Sequence, residues 1–170
     1  MQVHLVVYPE VISKQFFEEL SKKMAGEGGI LQTRTSAEEL CGAYEKCHAI
    51  ILKVDGEPAG YMAVWPVSDK HFEIGSGFIR EDLQSQGLGS MLYKHMNTLP
   101  ALEGKIAFAI TQNPAALRAG IKAGLMPHPD WEDPVPYELT CGPCTWVKEE
   151  EKPTCPHRNA TCTLRILRKN

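Results

Sequence analysis

The sequence has no apolar run long enough to cross a bilayer as a helix, no excess of cations, no internal repeat and no low-complexity tract. The first absence argues against a helical membrane span. The second, a net charge of −3 with a pI near 6.1, argues against a broad nucleic-acid-binding surface, although the closing TLRILRKN is locally basic. The opening MQVHLVVYPE lacks a charged n-region and a small-residue cleavage site, so it does not read as a signal peptide and the expected location is cytoplasmic. What remains is ordinary for a globular protein: 170 residues, 43% hydrophobic and 23% charged, are most simply one domain around one core.

Periodicity organises the chain. QVHLVVY (2–8) reads as a short strand. Ile12, Phe16, Leu20 and Met24 share one helical face, and GEGG ends that helix. Ser36 with Glu39 three residues on forms a capping box for a second helix carrying Leu40, Ala43, Tyr44 and Cys47. HAIILKV, DGEP and AGYMAVWPV read as a hairpin. HFEIGSGFI (71–79) is a further strand, 86–99 a helix, KIAFAIT (105–111) a strand buried on both faces, and NPAALRAGIKAG a helix with Asn113 as its cap and Gly124 as its stop. Strand–helix–strand over 71–111 predicts one right-handed parallel crossover, and the hairpin predicts antiparallel pairing. The expected fold is therefore α/β (α+β): a mixed, mostly antiparallel sheet with one parallel β-α-β crossover and helices on both faces.

LQSQGLGSML (83–92) places Gly87 and Gly89 where strand gives way to helix. Glycine lets another molecule approach the backbone, and a helix start offers unpaired N–H groups, which together suit a pyrophosphate. No G-K-[ST] follows, so this is not a Walker loop. The third glycine of G-x-G-x-x-G is missing, so it is not the dinucleotide fingerprint either. A turn that needs glycine only for its geometry is the plain alternative.

Gln84-Ser85-Gln86-Gly87-Leu88-Gly89 matches Q/R-x-x-G-x-G/A, and here the sequence resembles the GNAT superfamily of acyl-coenzyme A-dependent N-acyltransferases. The order of elements is similar to that family's over residues 1–126, including HFEIGSGFIREDLQSQGLGSMLYKHM and AFAITQNPAALRAGIKAGL. The resemblance implies acetyl-CoA as cosubstrate, with the amides of Gln86, Gly87, Leu88, Gly89 and Ser90, together with Gln84, at its pyrophosphate. It implies that the backbone of Phe78 and Ile79 pairs with the pantetheine arm, one N–H polarising the thioester carbonyl, and that Asn113 sits beside the thiol. An Asn113 that only caps its helix is the competing reading.

Glu73 is the candidate base, eleven residues before Gln84 on the strand that leads into the loop. It matches the strand glutamate of family members that use one, and it is expected to share a face with Gly75 and Gly77; a solvated strand-edge carboxylate is the alternative. Glu81, Asp82, His71 and His95 are weaker candidates. One departure stands out. The position four before the closing glycine, where the family often carries a tyrosine as general acid, is Gly120, and Tyr93 and Tyr137 are the possible substitutes. The expected reaction is direct acetyl transfer to a primary amine in a ternary complex. The alternative is a non-catalytic coenzyme A-binding module whose tail binds a protein or nucleic acid. A homodimer is one assembly such a chain could form.

The tail carries Cys141-x2-Cys144, Cys155-x-His157 and Cys162. That pattern divides the chain into a GNAT-like domain over 1–140 and a Cys-rich, zinc-knuckle-like extension over 141–170 that completes the sheet. Cys141, Cys144, Cys155 and Cys162 would hold one structural Zn²⁺, with His157 able to replace a cysteine. Free thiols or disulfides, and CGPC redox chemistry, are the other readings.

Overall fold

The computed structural model describes residues 1–26 and 34–167. Most of the GEGG stop and the closing RKN lie outside them. Strand β1 (Val3–Val6) precedes helices α1 (Lys14–Gly26) and α2 (Ala37–Glu45). Strands β2 (Ala49–Val54), β3 (Glu57–Pro66) and β4 (His71–Ile79) lead into α3 (Leu88–Met96). Then come β5 (Ile106–Thr111), α4 (Pro114–Lys122), β6 (Leu125–Pro127), the short α5 (Tyr137–Thr140) and β7 (Thr163–Leu167). The capping box of α2 forms as its sequence requires: Glu39 N donates to Ser36 Oγ, and Ser36 N donates to Glu39 Oε2, both at 3.2 Å.

The seven strands form one sheet in the order β1-β2-β3-β4-β5-β7-β6. β4–β5 is the parallel pair and the other neighbours are antiparallel. β6 has no counterpart in the sequence reading, because three residues are too few to show a period. β7, from the tail, lies between β5 and β6.

Alternation sorts the side chains to two faces. Ile50, Leu52, Val64, Phe72, Ile74, Ala107 and Ala109 pack with Leu88, Leu92 and Met96 of α3. Ala49, Ile51, Tyr61 and Ala63 pack on the opposite side with Phe17, Leu20 and Met24 of α1 and Leu40, Ala43 and Tyr44 of α2. Farther along that second face, Phe108 and Leu164 are covered by Trp131, Val135 and Cys141. The second face is thus roofed by two separate layers, with β4 running between them.

Two irregularities of β4 shape this region. Its pairing with β5 covers only His71–Glu73 against Ile106–Phe108, although β4 continues to Ile79 and β5 to Thr111. The two strands splay apart, and the outer edge of β4 is left without a strand partner there. In the pairing with β3, Tyr61 faces Phe78 but Ala63 faces Gly75, so β4 carries one extra residue, with Ser76 at a φ of +52°. The bulge reverses the alternation. Gly75 stays on the face of Glu73 and Trp65, whereas a Cβ on Gly77 would stand 3.1 Å from Met62 Cε on the opposite face. The expectation that Gly77 shares the face of Glu73 is therefore corrected.

Gly120 has a packing cause. A Cβ there would lie 2.1 Å from Arg165 Nη1. Arg165, 1% exposed on β7, spreads its guanidinium beneath α4, donating to Ala116 O at 3.0 Å and to Tyr93 Oη at 3.4 Å over the Tyr93 ring. Among the described residues no carboxylate pairs with it. Gly120→Tyr should therefore destabilise the fold by about 2–3 kcal/mol, as overpacking does. Shortening the neighbour in Gly120→Tyr/Arg165→Leu should recover part of that loss, because the two residues share one space. Urea melts of both variants test this; a Gly120→Tyr protein as stable as the parent overturns it.

Candidate active site

The loop between β4 and α3 is a chain of small constraints. Arg80 grips Asp82 with two bonds, Nε to Oδ1 at 2.6 Å and Nη2 to Oδ2 at 3.0 Å, and this contact holds the Asp82 carboxyl below the usual carboxylate range. Residues Glu81–Leu83 make one 3₁₀ turn. The Gln84 side chain then donates to Ile79 O at 3.1 Å, tying the loop back to the end of the strand. Gln86 reaches Asp82 O at 3.4 Å. Ser85 and Gly87 both take left-handed φ, +62° and +82°.

Gly87 is the N-cap of α3, with no side-chain cap. The first hydrogen bond of the helix runs from Met91 N to Gly87 O. Among the described residues, no acceptor meets the N–H groups of Gln86, Gly87, Leu88, Gly89 or Ser90. A Cβ on Gly87 would meet nothing within 4 Å, so the space beside that residue is open. Five successive unpaired donors at a positive helix end suit an anion. Only Gly87 needs its residue type for backbone conformation. A Cβ on Gly89 would make an ordinary 3.8 Å contact with Ala119, so the spacing of two glycines overstated what the backbone itself requires.

Phe78 and Ile79 close β4 beside these donors. The amine of Lys23, from α1, lies 5.7 Å above the Phe78 ring. Asn113, across the splay, caps α4: its Oδ1 accepts from Ala115 N at 2.8 Å and Ala116 N at 3.4 Å. It also lines a cavity of about 330 Å³ with Thr111, Gln112, Thr161 and Thr163. Glu73 lies on the opposite face of the sheet from α3, directly across from Trp65 of β3. Its Oε2 accepts from Arg34 Nη1 at 2.5 Å, and the two side chains are 25% and 24% exposed. The Arg34 guanidinium lies 5.4 Å from the Trp65 ring centroid. Glu73 is thus one half of a half-buried ion pair, and not a solvated strand-edge carboxylate.

The remaining candidates have structural duties. His71 bonds Ser68 Oγ and Pro134 O, both at 2.8 Å, and His95 bonds Met91 O. Tyr93 Oη is taken by Arg165.

The structure lends the expected zinc knuckle no support. Among the described residues no group of three or more His, Cys, Asp or Glu side chains is arranged to hold a metal ion. Cys141, Cys144 and Cys155 lie near enough to Cys162 to act on its thiol electrostatically. Cys141 is buried among apolar side chains, Cys144 Sγ accepts from Trp146 N at 3.4 Å, and Cys162 Sγ accepts from Gln112 Nε2 at 3.1 Å. His157 bonds Thr161 Oγ1 at 3.0 Å. Other contacts hold the segment. Arg158 stacks on Trp131 and Tyr137, at 5.6 Å from each ring centroid, and donates to Pro153 O and Lys152 O. Trp131 Nε1 donates to Asn159 Oδ1 at 3.0 Å.

Burial pushes the Cys162 thiol up, the Gln112 amide draws it back, and the neighbouring cysteine thiolates push it up again. A raised thiol pKa leaves less thiolate at neutral pH, so iodoacetamide should label exposed Cys47 well before Cys162. Peptide mapping of a labelling time course reads the order; Cys162 labelled first overturns it.

Arg34 and Trp65, which turn Glu73 into an ion pair, escaped sequence reasoning. Arg34 lies 39 positions from Glu73 in the chain, in no periodic element, and carries a left-handed φ of +61° that no motif announces. Arg165 escaped as well; the glycine at 120 was its only trace.

The sequence profile of the acetyltransferase (GNAT) family matches residues 13–119. No curated protein matches the chain in sequence. Among solved structures, N-acetylglutamate synthase from Neisseria gonorrhoeae, complexed with coenzyme A and N-acetyl-glutamate, aligns at TM-score 0.62 and 21% identity over 99% of this chain. This chain spans only 36% of that protein's length. PaiA N-acetyltransferase from Thermoplasma acidophilum, in complex with coenzyme A, aligns at TM-score 0.62 and 10% identity over 99% of this chain and 100% of its own. Diaminobutyrate acetyltransferase EctA from Paenibacillus lautus aligns at 0.52 and 11% identity over 71% and 72%. At such identities the structural likeness speaks for the fold alone. The profile match, which runs from the start of α1 into α4 and takes in both β4 and the glycine loop, speaks for more: the chain belongs to the acetyltransferase (GNAT) family.

Proposed function

We propose that this protein transfers an acetyl group from acetyl-CoA to a primary amine by direct attack. The observation that carries the reading is the row of five unpaired amides, Gln86 to Ser90, at the left-handed start of α3. Its chemistry fits a pyrophosphate, and both PaiA and the gonococcal synthase are structures with coenzyme A.

Acetyl-CoA supplies an acyl group activated as a thioester. The amides of residues 86–90 hold its diphosphate, and the loop keeps its shape through Gln84 on Ile79 O. The unpaired edge of β4 beyond Glu73 offers backbone groups to an extended arm lying in the splay. Arg80 N donates to Ala59 O of β3, so by alternation the N–H of Phe78 also faces β3 and that of Ile79 faces the open edge, where it donates to the carbonyl oxygen as negative charge builds there. Glu73 accepts the proton that the ammonium must lose before its nitrogen can form the C–N bond. As the C–S bond breaks, the sulfur leaves with the electron pair. A thiol pKa of ~8.5 makes that thiolate a tolerable leaving group without a tyrosine at position 120. Asn113 lies across the splay from Ile79, where the sulfur end would come to rest.

Release of free coenzyme A thiol, assayed against a panel of amines, amino acids and peptides, tests the reaction. Acetyl-CoA binding without thiol release from any of them would return the protein to the class of non-catalytic coenzyme A-binding modules.

A further inference from the structure

We infer that the acetyl acceptor is a free α-amino acid, taken up by the Arg34–Glu73 pair with its ammonium on Glu73 and its carboxylate on Arg34. The inference rests on the proposed transfer reaction for its outcome and on the Arg34–Glu73 contact for its substance.

The two charges sit on the second face of the sheet, between the α1–α2 roof and the layer of Trp131 and Val135. Arg34 Nη1 donates to Glu73 Oε2 at 2.5 Å, and a quarter of each side chain reaches solvent. The arginine is held from two sides. Its guanidinium lies over Trp65, and its carbonyl accepts from Ser76 Oγ at 3.4 Å, a hydroxyl that itself accepts from Trp65 Nε1 at 3.2 Å. Arg34 also adopts a left-handed φ of +61°, which a side-chain-bearing residue takes at some cost. A cation fixed this firmly beside the candidate base constrains what can dock there.

Charge balance narrows the choice. The pair is neutral. A bare ammonium that displaced the guanidinium from Glu73 would leave two cations together in a half-buried site, a like-charge cost. A zwitterion adds no net charge and gives each partner a new counter-ion. The planar fork of arginine suits a carboxylate bidentately. Because Arg34 and Glu73 touch, the ligand's two charges must also be adjacent, as on a single α-carbon. A lysine side-chain amine, many bonds from any carboxylate, would leave Arg34 unmatched. Gly75 provides room next to the pair, since a Cβ there would meet only the Trp65 ring at 3.8 and 3.9 Å.

The experiment compares matched ligands on protein saturated with coenzyme A or supplied with acetyl-CoA. Each of several L-amino acids is set against its carboxamide and its decarboxylated amine. Binding is read by calorimetry and turnover by thiol release. The free amino acid should bind about tenfold or more tightly than either analogue, and KM should follow the same order. Arg34→Gln should collapse that ratio towards one, and Arg34→Lys should restore part of it. Retained coenzyme A affinity shows that each variant is folded. Turnover that is indifferent to the carboxylate, or a preference that survives in Arg34→Gln, overturns the cradle while leaving acetyl transfer standing. Arg34-dependent amino-acid binding without thiol release supports the cradle and overturns transfer.

Discussion

Replacing Gly87 with valine should weaken acetyl-CoA binding by about a hundredfold or more, roughly 2.7 kcal/mol. Two costs act together. The backbone at Gly87 has a φ of +82°, where a β-branched residue is strained by about 1–3 kcal/mol. Relief of that strain should turn the following amides, of Leu88 and Gly89, from their present directions. The isopropyl group would also project into the open space beside position 87, where nothing now lies within 4 Å of a Cβ. The fold should survive, because Gly87 is exposed at the tip of its loop. Gly89→Ala is the matching control. Its Cβ meets only Ala119 at 3.8 Å, and a milder effect there would separate backbone strain from simple crowding. Calorimetric affinity in Gly87→Val equal to that of the parent would sink the anion site.

Glu73→Gln should lower kcat by about 10²–10⁴-fold with coenzyme A affinity little changed. The amide keeps the shape of the side chain and can still accept one hydrogen bond from Arg34, so packing is preserved. What it loses is the capacity to take a proton from the attacking ammonium. Glu73 lies on the opposite face of the sheet from the α3 amides, hence the expected separation of kcat from cofactor binding. If Glu73 merely anchored Arg34, the variant would raise KM and leave kcat intact across the pH profile. That outcome would assign Glu73 to acceptor binding and leave the proton to water.

The resemblance that led to these residues was legible because it is local. A strand, an eight-residue loop and a helix follow one another in the chain, and their spacing survives as a pattern in one dimension. The capping box at Ser36, the cap at Asn113 and the alternation of Ile50 and Leu52 against Ala49 and Ile51 are legible for the same reason. Each reports contacts between residues two to four positions apart.

The zinc expectation, which finds no support among the described residues, shows what cysteine spacing leaves open. Cysteine spacing says which thiols could meet, whereas the alternatives available to each thiol depend on distant neighbours. Here an apolar pocket with Trp131 takes Cys141, and Gln112 takes Cys162, fifty positions away. The Arg158 stack on Trp131 and Tyr137 also ties the tail down.

From the sequence alone came the mixed sheet with one parallel crossover, the glycine loop at the mouth of a helix, and the carboxylate on the strand before it, since all three are set by periods and short separations. The tertiary structure alone decided the bulge that turns Gly77 away from Glu73, the Arg34 that neutralises Glu73 and the Arg165 that requires Gly120. The first is a register effect between two strands. The other two join residues 39 and 45 positions apart through charge and volume, and neither quantity leaves a period in the chain.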